Sequence, residues 1–333
     1  MGRLFMGGLL LIGMTALVWY NEGRVNWSEV TANSRPITIT EPPPDDLGAD
    51  NLVAITAPIT TSAPLNDNLF LRPGPYALIE RTVQIYTIDD NETDPREKWV
   101  NIDAMPETYQ PPTWADNQLI TNARFINDTP YLGPYQLNPT AIDWPDPQPL
   151  ELSAATVIET PFLVIPQYIF SGTGHFNQPN IGDIRISYTT IPNGAQMTAF
   201  GTLTTDRLLP YQYRRDQTFY RLFYGERATA LTTLDNEYRN LLWGFRLLGV
   251  VGIWIGLLLL ASPVMGIVRW VPAVGKLTNY ILTFVMLFVA LLWTAIVALI
   301  AIIAHNIWLL LAVFLLIIGL SSWWLRTNSQ PKE

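Results

Sequence analysis

The sequence contains no cysteine and only two histidines, His175 and His305. The lack of cysteine excludes disulfides, thiolate nucleophiles and cysteine-ligated zinc sites. His175 lies in the glycine-rich stretch SGTGHFNQPN with Ser171 close by, but no G-x-S-x-G elbow is present, so a plain turn is favoured over a nucleophilic site. The acidic stretch DDNETDPRE lacks the ligand order of a calcium-binding EF-hand and is interpreted as a solvated loop. We therefore predict no enzymatic activity, no cofactor and no metal site.

Charge is also nearly absent from the two ends of the chain, where long apolar runs occur. Since about 20 apolar residues cross a bilayer, these runs predict four transmembrane helices. The first run ends in Val18-Trp19-Tyr20 instead of small residues, which favours an uncleaved membrane helix over a signal peptide. Ser262-Pro263 is expected to end the second helix, because proline lacks the amide proton. The predicted helices are residues 4–20, 241–261, 277–304 and 307–325.

The short segments outside these helices are basic and fall on one side of the membrane if the chain crosses four times. They contain Arg3, Arg269, Lys276, Arg326 and Lys332. By the positive-inside rule this side is the cytoplasm, which also places both termini there. Residues 21–240 are then extracytoplasmic. This segment has 27 acidic and 14 basic residues, a balance of −13, so we predict that it does not bind nucleic acid.

Residues 21–240 have the pattern of a mostly β domain inserted between the first and second transmembrane helices. Short stretches rich in β-branched and aromatic residues, such as LVAITAPIT, YALIERTVQIYTI and DIRISYTTI, are separated by proline, glycine and acidic residues. After this domain, apolar residues recur at helical spacing from Leu234 into the membrane run. One long helix, capped by Thr232 or Thr233, is therefore expected to join the domain to the membrane.

Several residues near the membrane are candidates for contacts. Glu22 and Arg24 follow the first helix, and we expect them to pair within the protein, for example with Arg246, or to bind lipid headgroups. Gly252 and Gly256 form a G-x-x-x-G pattern, which packs helices closely either within one protomer or in a homodimer.

A basic and aromatic patch, YQYRRDQTFYRLFYGER, contains Arg214 and Arg215. Such patches also bind RNA, but this one lies on the predicted extracytoplasmic side. Contact with lipid headgroups or with a protein partner is therefore the favoured interpretation.

Five segments together resemble the LUMA family, also called transmembrane protein forty-three. They are NEGR at residues 21–24, DNLVAITAPI, YALIERTVQIY with Arg81, GDIRISY at residues 182–188, and EYRNLLWGFRLLG. The resemblance implies a four-span protein with a large lumenal domain that self-associates and acts as a scaffold for other membrane proteins. No catalytic residue is carried over from it. Because the N-terminal segment is shorter than that of animal members, the resemblance suggests a prokaryotic relative in the cell (inner) membrane, with the domain in the periplasm.

Two functions follow as hypotheses. The first is a non-enzymatic membrane scaffold or accessory subunit, whose partners are other membrane proteins, further copies of itself, and lipids. The second is an extracytoplasmic lipid- or peptide-binding module that signals through the long helix. A broad aromatic patch on the domain favours the first, and a concave pocket favours the second.

Overall fold

The computed structural model describes residues 2–37, 39, 51–89, 96–106, 108–114, 118–214, 216–268 and 275–328. Residues 90–95 of the acidic stretch, Arg215 and Arg269 lie outside the described residues. The chain divides into a helical unit, Met1–Ser28 with Thr233–Glu333, and a β unit, Glu29–Thr232. The β-rich middle of the chain predicted from the sequence is therefore confirmed.

The secondary structure follows the composition closely, with helices at the apolar ends and strands between them. The helices are α1 (Gly2–Glu22), α2 (Trp27–Ala32), α3 (Arg227–Val268), α4 (Gly275–His305) and α5 (Ile307–Asn328), with one 3₁₀ turn at Ile102–Ala104. The strands are β1 (Arg35–Ile37), β2 (Leu52–Thr61), β3 (Tyr76–Asp89), β4 (Arg96–Asn101), β5 (Thr113–Trp114), β6 (Gln118–Leu119), β7 (Ala123–Ile126), β8 (Pro130–Leu132), β9 (Tyr135–Leu137), β10 (Gln148–Pro149), β11 (Leu163–Ile165), β12 (Tyr168–Ser171), β13 (Ile184–Pro192), β14 (Gln196–Leu203), β15 (Arg207–Leu209), β16 (Tyr211–Arg214), β17 (Gln217–Phe219) and β18 (Arg221–Tyr224).

The first large sheet has the strand order β1-β2-β8-β9-β15-β14-β18, and β14 also pairs with β2. This extra pairing closes the ladder from β2 through β8, β9 and β15 back to β14. Strand β2 shows how the sheet reaches the core, since its alternate residues Val53, Ile55, Ala57 and Ile59 all lie in the first hydrophobic core. The opposite face of this strand is also partly covered, because Ala54 on it is only 1% exposed.

The second large sheet has the order β11-β12-β13-β3-β4, with β10 beside β13 and β7 beside β3. Its inner face packs into a second core through alternate residues, including Val83 and Ile85 of β3 and Ile184 and Ile186 of β13. The residues between them point to the opposite face of the sheet, which this core does not cover. Two separate two-stranded ladders, β5–β6 and β16–β17, complete the described strands.

Three helical stretches of the described chain have the length and apolar composition of membrane spans. They are Gly2–Ala32, Arg227–Pro263 and Tyr280–His305. The apolar part of α5, Ile307–Ser321, is shorter. The described side chains of α5 are exposed around the whole helix, as lipid-facing or partner-facing residues are.

Helix α3 differs from the sequence prediction at both ends. Pro263 lies inside the helix, which continues to Val268, so the expected end at Ser262-Pro263 is wrong. A membrane-spanning segment tolerates proline because the helix is the only way to satisfy the remaining backbone groups there. At the other end α3 begins at Arg227, and the Thr232 hydroxyl donates to the Ala228 carbonyl oxygen at 2.9 Å from inside the helix. The predicted cap at Thr232 or Thr233 is therefore also wrong.

Gly252 and Gly256 lie where α3 crosses α1. A Cβ added at Gly256 would come within 3.1 Å of the Gly7 carbonyl oxygen and 3.3 Å of the Leu11 nitrogen. A Cβ at Gly252 would meet the Met14 side chain at 2.5 Å. The G-x-x-x-G pattern thus packs two helices of one protomer against each other.

This crossing gives a testable prediction. Gly256→Ile is expected to destabilise the helical unit by about 1–3 kcal/mol, because the new side chain collides with backbone atoms that cannot move aside. Gly244→Ile on the same helix is the matched control, since nothing lies within 4 Å of a Cβ at that position. Thermal unfolding in detergent measures the difference, and equal midpoints for the two variants would contradict the close crossing.

Candidate functional site

The N-E-G-R motif forms a cluster at the end of α1. Asn21 is buried, and its Nδ2 donates to the Leu242 carbonyl oxygen of α3 at 3.1 Å. Its Oδ1 accepts from Arg24 Nη1 at 3.3 Å. The Arg24 guanidinium also lies 5.8 Å from the centre of the Phe245 ring. The first and last residues of the motif therefore both contact α3.

Glu22 and Arg246 form a forked ion pair between the same two helices. Arg246 Nε donates to Glu22 Oε1 at 2.7 Å, and Nη2 donates to Oε2 at 2.8 Å. The side chains are 3% exposed for Glu22 and 22% for Arg246, so the pair is largely shielded from solvent. The Arg246 guanidinium also stacks 4.8 Å from the Trp243 ring. Of the two roles expected for Glu22, the structure shows pairing within the protein.

Gly23 packs against His305, at the turn between α4 and α5. A Cβ at Gly23 would lie 2.5 Å from His305 Nε2, so a side chain larger than hydrogen does not fit. The other ring nitrogen, Nδ1, is 2.7 Å from the Ala301 carbonyl oxygen, and the ring centre is 5.4 Å from that of Trp19. Sequence patterns did not predict this role of His305, although a glycine inside a charged motif was a signal for it.

In the β unit, the GDIRISY segment contributes three differently placed side chains. Asp183 is buried, and its carboxylate accepts backbone N–H groups from Thr173 at 2.8 Å, Gly174 at 3.1 Å and Asn180 at 2.7 Å. This carboxylate therefore fixes the loop that carries His175. His175 itself is exposed in a turn, which is the arrangement expected from the sequence.

Tyr188, five residues after Asp183 in the sequence, contacts a buried ion pair. Asp67 and Arg81 are 3.0 Å apart through Oδ2 and Nη1, with side chains 0% and 5% exposed, and the Tyr188 hydroxyl donates to the same Oδ2. Arg81 Nε donates to the Thr121 carbonyl oxygen at 2.8 Å. Asp67 Oδ1 accepts three backbone N–H groups, from Leu69, Phe70 and Leu71. Every polar atom of this carboxylate is thus engaged, as a buried charge requires.

Arg185 lies on the opposite face of β13, at the centre of what we call the aromatic surface: Tyr86, Trp99, Tyr168, Phe170, Phe176 and Arg185. Its guanidinium lies 4.5 Å from the ring centres of both Trp99 and Tyr168, and its Nε donates to Gln84 Oε1 at 2.7 Å. Phe170 and Gln84 are its register partners on either side. Burial lowers the pKa of Arg185 from its ordinary value, because a partly buried cation loses some of its hydration.

The remaining rings extend this surface across four strands or loops. Tyr86 lies 5.3 Å from Trp99, Tyr168 lies 5.7 Å from Phe176, and Phe170 lies 6.1 Å from Phe176. Phe170 is buried and the other rings are half-buried. Sequence patterns did not predict this surface, because its members come from five separate segments.

Other predicted sites are less organised. Arg214 is exposed at the end of β16, with its guanidinium 5.0 Å from the neighbouring Tyr213 ring, and its predicted companion Arg215 lies outside the described residues. A wide cleft of about 430 Å³ lies beside β11 and includes Arg72, Ser153 and Glu159 in its lining. Within the described part of the chain, no group of three or more His, Asp or Glu residues could hold a metal ion.

Tyr220 supplies a pH-dependent prediction for the β unit. Its hydroxyl donates to the Leu208 carbonyl oxygen at 2.6 Å and accepts from the Asn138 N–H at 3.0 Å, and burial raises its pKa from 10.0 to about 12. Burial also raises the pKa of Tyr188 well above its ordinary value. The folded state therefore keeps these protons at a pH where the unfolded chain has lost them, so stability falls as pH rises above 10.

The measurement is the free energy of unfolding as a function of pH. The stability that Tyr220 contributes is expected to be lost between pH 10 and about 12. Tyr220→Phe should therefore make the free energy of unfolding fall less steeply with pH in that interval. The variant is also expected to be less stable at neutral pH by about 1 kcal/mol, because two hydrogen bonds are lost. A slope that Tyr220→Phe leaves unchanged would show that this hydroxyl is not shielded.

A comparison with known families bears on the whole arrangement. A family model described as Transmembrane protein 43 matches residues 96–307, which is more than half of the chain and includes GDIRISY, Arg246 and both glycines of the helix crossing. The chain belongs to the Transmembrane protein 43 family. With its long apolar helices, this member of the family is an integral membrane protein. No curated protein and no solved structure matches the chain.

Proposed function

We propose that this protein is a non-enzymatic membrane scaffold or accessory subunit of a larger complex, and that its β unit binds a partner protein through the aromatic surface. The observation that carries the proposal is the clamp of Arg185 between Trp99 and Tyr168 on the outer face of the second sheet. Trp, Tyr and Arg are the residues most enriched among interface hot spots. Among the described residues this cluster has the composition of such an interface.

The clamp also has the rigidity that a binding surface needs. Arg185 of β13 and Tyr168 of β12 project from neighbouring strands. The Nε of Arg185 is fixed by a hydrogen bond to Gln84 on β3, the strand on the other side of β13. Little side-chain entropy remains to be lost when a partner covers these rings. Because water is already partly excluded from the guanidinium, a partner carboxylate or carbonyl would form a stronger hydrogen bond there than on an open surface.

For the membrane arrangement we propose four spans, with both termini in the cytoplasm and the β unit on the other side. The basic residues of the short segments support this orientation. Because the chain has no cysteine, single cysteines introduced at Asp206 and Asn328 can be tested separately with a membrane-impermeant maleimide in intact cells. Labelling at Asp206 alone is expected. Labelling at Asn328 alone would show that the protein has the opposite orientation.

Site-specific photocrosslinking tests the proposed function. A photoreactive benzoylphenylalanine in place of Tyr168 is expected to give one adduct of defined mass in the native membrane. The same group in place of Tyr131, a half-buried tyrosine of the other large sheet, is the matched control and should give none. No adduct at either position, or the same adducts at both, would contradict partner binding at the aromatic surface.

The alternative function, a ligand-binding module, has the cleft beside β11 as its site. The cleft is lined by both polar and apolar residues, and Arg72 there already donates through Nε to the Val157 carbonyl oxygen at 2.8 Å. This bond occupies only one of the guanidinium nitrogens. Among the described residues no hydrogen bond holds Nη1 or Nη2, so these two can donate to a peptide. Binding of a ligand that Arg72→Gln abolishes and Arg185→Gln preserves would favour this function instead.

A further inference from the structure

An apolar groove runs between α1 and α4 in the helical unit. It has a volume of about 430 Å³ and is lined by Leu11, Ile12, Thr15, Ala16, Trp19 and Trp293. The Thr15 hydroxyl donates to the Leu11 carbonyl oxygen at 2.7 Å and accepts from Trp293 Nε1 at 3.0 Å. Since these polar atoms are already paired with each other, the groove suits an apolar occupant.

The length of the groove matches one leaflet of a bilayer. Leu11 and Trp19 are separated by about 12 Å along a helix at 1.5 Å per residue. Half of a hydrocarbon core is about 15 Å. Trp19, Tyr20 and Trp308 are 40%, 72% and 78% exposed and have the character of an aromatic belt at headgroup level. The groove therefore begins at the interface and runs into a single leaflet.

Two groups that can bind a phosphate lie toward the interfacial end of the groove: the Trp19 indole, which lines it, and the Arg24 guanidinium, which lies outside the lining and against Phe245 of α3. The Trp19 indole N–H has no hydrogen-bond partner among the described residues, and the ring packs on His305, which in turn packs on Gly23. Arg24 follows Gly23, donates to the neutral Asn21, and has no acidic partner in the described part of the chain. Glu22 does not neutralise it, because both carboxylate oxygens of Glu22 are bonded to Arg246.

We propose that this groove binds one acyl chain of a membrane phospholipid, with the phosphodiester at the level of Trp19 and Arg24. A phosphodiester is an anion that accepts from both an indole N–H and a guanidinium. Helix α5 provides the contrast, because its described side chains are exposed on all sides. Lipids are expected to exchange along such a surface without occupying a defined site. The inference is independent of partner binding by the β unit.

The test uses the full-length protein in vesicles of equal amounts of phosphatidylcholine and phosphatidylglycerol, with a trace of phosphatidylcholine that carries a diazirine in one acyl chain. After illumination, mass spectrometry compares labelling of residues 11–19 with labelling of α5, which serves as the internal standard. We expect the groove segment to be labelled several-fold more per residue. Ala16→Phe, which fills the groove, should lower that labelling to the α5 level, whereas Ala312→Phe on α5 is the matched control and should not.

A second pair of variants covers the case in which Ala16→Phe fails to fold. Ile12→Trp also fills the groove from an exposed position, and Ile317→Trp is its control, the two isoleucines being 72% and 55% exposed. Arg24→Gln is expected to lower groove labelling without changing α5. Three results would each overturn the proposal: equal labelling of the two helices, labelling of the groove that filling it does not change, or a crosslink from the groove to a second copy in place of lipid. Labelling of the groove that Arg24→Gln does not change would overturn the phosphate contact.

Discussion

Asp67→Asn is expected to lower the free energy of unfolding of the β unit by about 3–5 kcal/mol, the usual cost of removing one partner from a buried ion pair. The amide can still accept the backbone N–H groups of the following turn. It cannot neutralise Arg81, whose side chain is only 5% exposed. The Tyr188 hydroxyl also loses a charged acceptor. The cation left in the core therefore dominates the effect.

Hydrogen exchange of the full-length protein in detergent measures this loss locally, because the amides of β3 and β13 report opening of the second sheet. Asp206→Asn is the matched control, since that side chain is 74% exposed and 4.0 Å from its partner Arg207. An exposed pair of this kind contributes about 0–1 kcal/mol. If Asp67→Asn changed protection no more than Asp206→Asn, the buried triad of Asp67, Arg81 and Tyr188 would have no role in stability.

Glu22→Gln is expected to destabilise the helical unit by about 3 kcal/mol, near the lower end for a buried pair because Arg246 keeps some exposure. The glutamine leaves the guanidinium without its forked acceptor, in a segment where apolar side chains and lipid surround it. The expected readout is a lower midpoint of thermal unfolding in detergent. Asp235→Asn, which breaks the exposed pair with Arg239, should change the midpoint little.

The double variant Glu22→Gln with Arg246→Met separates pairing from simple loss of charge. Once both charges are removed, neither is left buried without a partner, so the double variant is expected to be more stable than Glu22→Gln alone. A double variant whose loss equals the sum of the two single losses would contradict a direct interaction between these residues.

Sequence patterns predicted the strands well where one face is buried. LVAITAPIT, YALIERTVQIYTI and DIRISYTTI correspond to β2, β3 and β13, because β-branched residues at alternate positions suit a half-buried sheet. The buried triad was not predictable in the same way. Arg81 and Tyr188 stand opposite each other in the ladder between β3 and β13, while Asp67 comes from a loop, and only the register brings them together. A sequence gives periodicity within a strand but not the pairing of distant strands.

The apolar ends of the chain show a different kind of error, in which a sequence rule that holds for water-soluble helices fails in a membrane segment. Pro263 is a helix breaker in water, but it lies inside α3 where the chain is apolar. The N-E-G-R motif pointed correctly to polar contacts of Glu22 but not to the packing of Gly23 on His305, which depends on a turn some 280 residues away along the chain. The aromatic surface was missed for the same reason, because Trp99, Tyr168 and Arg185 meet only through strand order.

The most direct test of partner binding is the mass of the native particle, purified from its own membrane in mild detergent, for the unaltered protein and for Arg185→Gln. Arg207→Gln is the matched control, since Arg207 is 61% exposed on the other large sheet. The account predicts a particle containing a second protein in fixed proportion to the 37.5 kDa chain, retained by Arg207→Gln and reduced about tenfold by Arg185→Gln. A particle of this chain and lipid alone, or one whose second protein survives Arg185→Gln unchanged, would contradict it.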